Sequence, residues 1–297
     1  MKPEWIAADW GTSNLRLWAI GADGSVLADR NSSRGMGQLT SDEFENTLID
    51  LAADWLDTAD TVVACGMVGS RQGWVEAPYQ TAPCEVSCET MVKAPVKRPN
   101  LTVHVIPGIK QTSPSADVMR GEETQIAGFL AEHKDWDGVL CLPGTHTKWV
   151  HISAREVVSF QTFMTGEMFA LLAQNSVLSH SIATTGWDNN AFDTALSTTL
   201  SRPESLAGRL FALRASHLVN GADPTALRAE LSGLLIGAEL AAAKPYWLGQ
   251  NVAIIGADTV AMSYVSGLAA QGVTATRADA TNMTLAGIKT AYRQLEI

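Results

Sequence analysis

Two glycine-threonine turns, 133 residues apart, constrain what this chain can fold into more than any other feature. Gly11-Thr12 in DWGTSNLRLW follows the apolar run of residues 5–9, and Gly144-Thr145 in LPGTHTKWVH follows the apolar run of residues 138–142. Each pair leads into a strand that carries a tryptophan, Trp18 or Trp149. In the first copy, residues 15–20 and 25–30 complete an antiparallel meander around the GADG turn at residues 21–24. A helix follows, N-capped at Thr40 or Ser41, with Phe44, Leu48, Leu51, Ala52 and Trp55 at helical spacing through Leu56. In the second copy, residues 156–161 form the further strand and residues 164–174 the helix. One GT match is coincidence, but a shared succession of strand, turn, strand, turn, strand and helix is the mark of an internal duplication.

The rest of the chain alternates in the same manner. Strands are expected at residues 61–65 and 101–106, with a helix at 121–133. The second half carries helices at 188–200, 203–217 and 223–243, where Leu227, Leu231, Leu234, Leu235 and Ala238 make an apolar stripe. Strand 251–255, helix 259–270, strand 273–276 and helix 281–293 complete it. Such alternation predicts an α/β protein with a mixed sheet in each half. The domains are expected at residues 1–137 and 138–297, with the last helix able to pack back on the first.

Composition narrows the partners. At 297 residues roughly 75% of the unfolded surface can be buried, and 46% apolar with 18% charged residues is a globular balance. With 21 Lys and Arg against 31 Asp and Glu, the net charge of −10 repels nucleic acid and anionic lipid. The four cysteines, Cys65, Cys84, Cys88 and Cys141, have neither the density of a disulfide scaffold nor C-x-x-C spacing, so the reduced cytoplasm is expected. The start, MKPEWIAADW, does not read as a signal peptide. LSGLLIGAELAAA, interrupted by Glu239, falls short of the ~20 apolar residues of a membrane span.

The chemistry concentrates in Asp9-Trp10-Gly11-Thr12-Ser13-Asn14-Leu15-Arg16. An acid ending a buried strand can hold Mg²⁺ or its water shell, and a glycine turn lets backbone N–H groups and hydroxyls approach a phosphate. A hairpin with a capping Asp reads the same residues more plainly. Gly144, Thr145, His146, Thr147 and Lys148 supply a second glycine turn with two hydroxyls and a cation, so two turns could clamp one nucleotide tail. Neither a P-loop nor G-x-G-x-x-G is present.

These strings together resemble the actin, Hsp70 and sugar kinase superfamily. Within it, IAADWGTSNLRLW, GMVGSRQGW, VMRGEETQ, PGTHTKWV, MTGE, RASH and LSGLLIGAE resemble the 2-dehydro-3-deoxygalactonokinase family, in order along almost the whole chain. The resemblance implies an actin-like ATPase fold of two duplicated RNase H-like lobes, each a mixed sheet flanked by helices. It implies ATP-dependent phosphorylation of the C6 hydroxyl of 2-dehydro-3-deoxy-D-galactonate, with Mg²⁺, and lobe closure that excludes water. Pro143 stands where the superfamily commonly has an acid in its second phosphate loop, which leaves Asp9 as the metal candidate.

Gly121-Glu122-Glu123 opens a helix, where adjacent carboxylates are favoured by the dipole alone. The superfamily places its catalytic carboxylate at the corresponding helix start, which maps onto Glu123, with Glu122 in reserve. A planar carboxylate suits the guanidinium fork, so Arg16, Arg71 and Arg120, beside Ser70, Trp74 and Lys148, are the sugar-acid candidates, each arginine being equally readable as a structural ion pair. Trp74 and Tyr79 could wall the sugar pocket, though each is as easily a core residue. Gly256-Ala257-Asp258, which follows a strand and starts a helix, is implied to face adenosine, as are Gly166 and Glu167; a glycine turn and an N-capped helix are the plainer readings. The expected partners are the sugar acid and ATP, with a homodimer left open. A polyphosphatase-type phosphohydrolase, a kinase of an epimeric acid and an ATP-switched scaffold are the rival readings.

Overall fold

The computed structural model describes residues 2–86 and 90–295, so Cys88 lies outside the described residues. The chain forms two compact units: the described residues of Met1–Trp136, Ile152–Ser159 and Ala280–Ile297, and those of Asp137–His151 and Phe160–Asp279.

In the first unit, β1 (Trp5–Trp10), β2 (Leu15–Ile20) and β3 (Val26–Ser32) form the antiparallel meander, with Asp9 opposite Arg16. After α1 (Phe44–Ala52), β4 (Thr61–Gly66) lies parallel to β1 and sets Cys65 beside Asp9 and Gly66 beside Trp10. The short strands β5 (Tyr79–Thr81), β6 (Cys84–Glu85) and β7 (Val92–Lys93) precede β8 (Thr102–Val105), β9 (Gly108–Gln111) and β10 (Asp117–Met119). The main sheet has the order β3-β2-β1-β4-β8-β7, and β10-β9-β5 is a separate three-stranded sheet. Helix α2 (Glu122–Glu132) follows.

The second unit takes β11 (Gly138–Leu142), β12 (Thr147–Ser153) up to His151 and β13 (Glu156–Phe163) from Phe160. Helices α3 (Thr165–Asn175), α4 (Asn189–Ser201), α5 (Leu206–Asn220), α6 (Pro224–Ala242) and α7 (Lys244–Trp247) come next. Asp188 and Asp223 cap α4 and α6 by accepting the N–H of Ala191 and Ala226. Then β14 (Val252–Gly256), α8 (Asp258–Ala269) and β15 (Thr276–Asp279) give the strand order β15-β14-β11-β12-β13. Read from the other end, this is the β3-β2-β1-β4-β8 order of the first unit, with parallel pairing at the same two places, β11–β14 and β14–β15. The duplication expected from the two turns is therefore a duplication of topology.

Alternation along β1 explains why its end is held so firmly. Ile6, Ala8 and Trp10 face α1, packing with Phe44 and Leu48, while Trp5 and Ala7 face α9 (Ala280–Arg293), packing with Ile288 and Ala291. Trp10, one residue before the first turn, lies 4.9 Å from Phe44 and 6.1 Å from Trp74 between ring centroids. In the second unit Val139, Cys141, Val252 and Ile254 meet Leu196, Ile236 and Leu240 from the helices. No helix among the described residues is long and apolar enough to cross a membrane.

Three local expectations need correction. The first helix starts at Phe44 rather than at Thr40 or Ser41, because the Thr40 N–H and hydroxyl both bond the Glu43 carboxylate at 2.8 Å and use those residues in a turn. It ends at Ala52, yet Trp55 and Leu56 are buried in the turns beyond it, which is why the apolar spacing overran the helix. The last strand is Thr276–Asp279 rather than 273–276: the Val273 N–H instead closes the end of α8 on the Leu268 carbonyl. The sheet β10-β9-β5 was not anticipated, since strands of three or four residues carry too little periodicity.

Helices α2 and α9 cross at two glycines. A Cβ at Gly287 would overlap the Thr124 carbonyl oxygen, and one at Gly128 the Met283 carbonyl oxygen. Gly287→Ala should therefore destabilise the protein by about 2 kcal/mol or more, the size of an overpacked core, with a lower denaturation midpoint in urea. An unchanged midpoint would mean that the helices can separate at no cost.

Candidate active site

The first turn is closed by the Gly11 N–H bonding the Asn14 carbonyl at 2.9 Å. From beneath, the Met36 N–H bonds the Gly11 carbonyl at 3.0 Å and the Gly37 N–H bonds the Thr12 carbonyl at 2.9 Å. A Cβ at Gly35 would overlap the backbone of residues 12–14, so only glycine permits this support. Thr12, Ser13 and Asn14 are thus held by main-chain bonds while their side chains stay exposed.

Asp9 sits one residue before Trp10 and is partly buried, with the Cys65 thiol 3.9 Å from its Oδ1. Burial raises its pKa, and the charge of Arg16 across the β1–β2 pair opposes the rise. At the end of β4, Gly66 has φ of +88°, and a Cβ there would come within 2.8 Å of the Trp10 carbonyl oxygen and 3.7 Å of the Asp9 carboxylate. Gly121, with φ of +106°, would place its Cβ 3.5 Å from the Gly66 Cα. Two left-handed glycines therefore bring the start of α2 against the end of β4, beside Asp9.

The two glutamates at that helix start differ sharply. Glu123 is 2% exposed; its carboxylate accepts the Gly121 N–H at 2.6 Å and the Thr124 hydroxyl at 3.1 Å. Burial, reinforced by the neighbouring Glu122 charge, pushes its pKa up to about 8. Glu122 is half-buried and accepts the Arg120 N–H at 3.1 Å.

The sugar-acid candidates separate by environment. Arg16 is exposed and donates to the Thr281 hydroxyl at 3.0 Å, beside a shallow groove lined by Asn14, Asn31, Ser32 and Ser33. Arg71 is exposed. Arg120 lies over the Tyr79 ring, with Cζ 4.4 Å from its centroid, and bonds the Ala77 carbonyl at 2.7 Å. Ser70 is buried. Trp74, expected to wall the sugar pocket, is a core residue instead: it is 5% exposed, packs on Phe44 and Trp10, and bonds the Pro95 carbonyl.

In the second unit Gly144, Thr145 and His146 form an exposed turn gripped by the start of α3. A Cβ at Gly166 would overlap the Gly144 carbonyl oxygen, the Glu167 N–H bonds the Thr145 carbonyl at 2.9 Å, and the Glu167 carboxylate pairs with His146 at 2.6 Å. Glu167, expected at adenosine, is thus engaged with this turn. Thr147 and Lys148, expected at phosphate and substrate, are corrected to interior positions. Thr147 is wholly buried with its hydroxyl 3.0 Å from the Tyr264 hydroxyl, and buried Lys148 donates to the His146 carbonyl. Tyr264 and Trp149 both donate to Glu239 at 2.8 Å, whose pKa burial raises to about 6. Gly256 ends β14 beside the turn, its Cβ position 3.4 Å from Pro143; Ala257 and Asp258 are exposed, and Asp258 pairs with Arg277. Among the described residues no cluster of three or more His, Cys, Asp or Glu is placed to hold a metal ion.

Sequence reasoning missed Gly35, Gly37, Gly66 and the partners of Glu239, whereas Tyr79, read as a pocket wall or a core residue, lies under Arg120. The GMG string at residues 35–37 was a signal of close backbone approach. Glu239 was noted only as an interruption of an apolar stripe, although a lone acid on a buried helix face signals a partner.

Comparison with known proteins shows the family. The family model 2-keto-3-deoxy-galactonokinase matches residues 9–291. The chain is 37% identical to the protein named "Probable 2-dehydro-3-deoxygalactonokinase DgoK1" of Rhizobium meliloti (strain 1021), over 98% of this chain and 97% of that one. It is 32% identical to the 2-dehydro-3-deoxygalactonokinase of Escherichia coli (strain K12), over 97% of each. The structure titled "Crystal structure of a putative 2-dehydro-3-deoxygalactonokinase protein from Sinorhizobium meliloti" superposes with a TM-score of 0.91 at 35% identity, covering 98% of this chain and 99% of that one. A dehydratase component from Acidaminococcus fermentans, 13% identical with a TM-score of 0.54, shares the fold alone.

The Glu123 environment sets a pH dependence of stability. Its folded pKa lies above the ordinary 4.5, so the folded state binds more protons than the unfolded state between about 4.5 and about 8, and stability falls as pH rises through that window. Glu123→Gln removes the titration, so its melting temperature should gain on that of the parent steadily from acid to about pH 8. A constant difference across that range would refute the buried-acid assignment.

Proposed function

The chain belongs to the 2-keto-3-deoxy-galactonokinase family, and on that premise we propose that it transfers the terminal phosphoryl group of ATP to the C6 hydroxyl of 2-dehydro-3-deoxy-D-galactonate. The observation that carries the reading is the glycine junction of the first unit, where Gly66 and Gly121 gather the Asp9 strand end and the Glu123 helix start. Phosphoryl transfer needs little covalent chemistry from a protein: it needs an oriented hydroxyl, a proton acceptor and neutralised phosphate charge.

Glu123 is the proposed base. Its raised pKa makes it a strong proton acceptor near neutral pH, where a weaker carboxylate would take the hydroxyl proton reluctantly. Gly121 and Thr124 hold the carboxylate in one orientation, and Glu122 keeps its proton affinity high. Thr12, Ser13 and Asn14, on a turn rigidly backed by Gly35 and Gly37, bind phosphate oxygens, as do Gly144, Thr145 and His146 on the turn gripped by α3. Gly166 and Gly256 border that second turn, with Gly256, Ala257 and Asp258 offered to adenosine. Asp9 fits Mg²⁺, a hard cation that takes one or two carboxylates and otherwise keeps water and phosphate oxygens. When bound, the ion supplies neutralisation of phosphate charge. Arg16, beside both Asp9 and the first turn, adds positive charge there.

A coupled assay of ADP release across 2-keto-3-deoxy sugar acids and neutral sugars tests the reading. Turnover should require a sugar acid; equal ADP release without an acceptor would make the protein a phosphohydrolase. Asp9→Asn should cut kcat at least ~10²-fold without lowering the melting temperature, and Mg²⁺ titration should show a raised requirement. Glu123→Gln should cost roughly 10² to 10⁴ in kcat with ATP binding intact, and the parent kcat/KM should rise with pH toward a plateau above about 8. A large loss in Glu122→Gln alone would move the role to its neighbour.

A further inference from the structure

Buried polar side-chain atoms without a partner are few among the described residues, and three of the five fall in one corner: Nε and Nη1 of Arg120 and Oγ of Ser70. A folded protein leaves guanidinium donors unmatched only at a cost, so such a group marks either strain or a site completed by another molecule. The corner is built rather than incidental. Strand β5 supplies Tyr79, whose ring lies under the guanidinium, and β9 supplies Gly108, where a Cβ would come within 2.8 Å of that ring. Strand β10 ends at Met119, one residue before Arg120, and pairs Met119 with Ile109. Gly69, next to Ser70, sits so close that a Cβ would stand 2.8 Å from Arg120 Nη1. The Ala77 N–H bonds the Gly69 carbonyl at 2.9 Å, while the Ala77 carbonyl accepts from Arg120 Nη2.

We propose that Arg120 and Ser70, on the platform of Tyr79, form the subsite for the substrate carboxylate and thereby make the enzyme select a sugar acid over a neutral sugar. The assignment rests on the kinase reading above and goes further by choosing among the arginines. A carboxylate offers acceptors to the guanidinium and to the serine hydroxyl, which matches the donors that lack partners. Arg120 itself is partly exposed while its Nε and Nη1 lie just below the surface. With Nη2 kept on the Ala77 carbonyl, an entering carboxylate displaces no partner from these two nitrogens. Arg16 already donates to Thr281 and faces Asp9, and Arg71 stands on the surface; neither has a buried donor left unmatched. Position along the chain gives the choice its chemical sense. Arg120 is followed directly by Gly121, Glu122 and Glu123, and its own N–H is tied to Glu122, so one short segment sets both the carboxylate grip and the proposed base.

The test compares 2-dehydro-3-deoxy-D-galactonate with its C1 carboxamide, a neutral analogue of the same shape, in the full-length protein. KM and calorimetric Kd are measured for wild type, Arg120→Lys and Ser70→Ala, with circular dichroism as the check of folding. Wild type should prefer the acid by roughly 10- to 100-fold, the worth of hydrogen bonds to a charged group. Arg120→Lys keeps the charge but loses the planar donors and the ring stacking, so the preference should fall toward unity with KM for ATP unchanged. Ser70→Ala, which removes one oxygen, should reduce the preference a few-fold, and it decides the matter alone if Arg120→Lys does not fold. Wild type accepting the amide as readily as the acid would overturn the sugar-acid reading itself. Wild type that discriminates, with folded variants that discriminate equally well, would overturn only the assignment of this subsite.

Discussion

Backbone lies against backbone beneath both glycine turns and at the end of β4, and that close approach is the constraint on which the candidate site depends. At the end of β4 a Cβ on Gly66 would intrude on the Trp10 carbonyl, and beneath the first turn one on Gly35 would overlap residues 12–14. Main-chain hydrogen bonds can then pin each turn, so Thr12, Ser13, Asn14 and Thr145 need not spend their side chains on holding it. A turn that supports itself through its backbone is preorganised, and on the proposed reading that is what electrostatic catalysis requires of it.

Duplication supplies the frame twice, and each copy carries a different burden. In the first unit the frame gains the small sheet β10-β9-β5, which carries Tyr79 and leads into Arg120 and Glu123. In the second it gains the helical block α3–α7, which grips the second turn through Gly166 and Glu167 and braces β12 through Glu239. Shared strand order gives both units turns at the ends of parallel strands, where ligands of α/β sheets are usually met. The candidate residues lie largely where these additions meet the frame.

Two of the buried glutamates, Glu239 and Glu123, show how one residue type meets two environments. Glu239 accepts from the neutral donors Trp149 and Tyr264, which favour its charged form against burial and leave its pKa near 6. Glu123 has less compensation and a second carboxylate as its neighbour, and its pKa rises to about 8. The first environment suits a fixed brace and the second a group that exchanges a proton near neutrality.

By itself the sequence determined the duplicated α/β frame, the two turns, the bounds of β2 and β11 and the family, because these rest on local periodicity, glycine placement and long matched strings. It also brought Asp9, Glu122, Glu123 and the three arginines forward as the residues worth weighing. It did not separate a pocket wall from a core tryptophan at Trp74, or a ligand from a buried brace at Thr147 and Lys148, since burial is a property of what packs against a residue from elsewhere in the chain. Nor did it rank Arg16, Arg71 and Arg120. Only the tertiary structure decided that two donors of Arg120 are buried without partners, because a hydrogen bond left unmade is visible only when every neighbour has been placed.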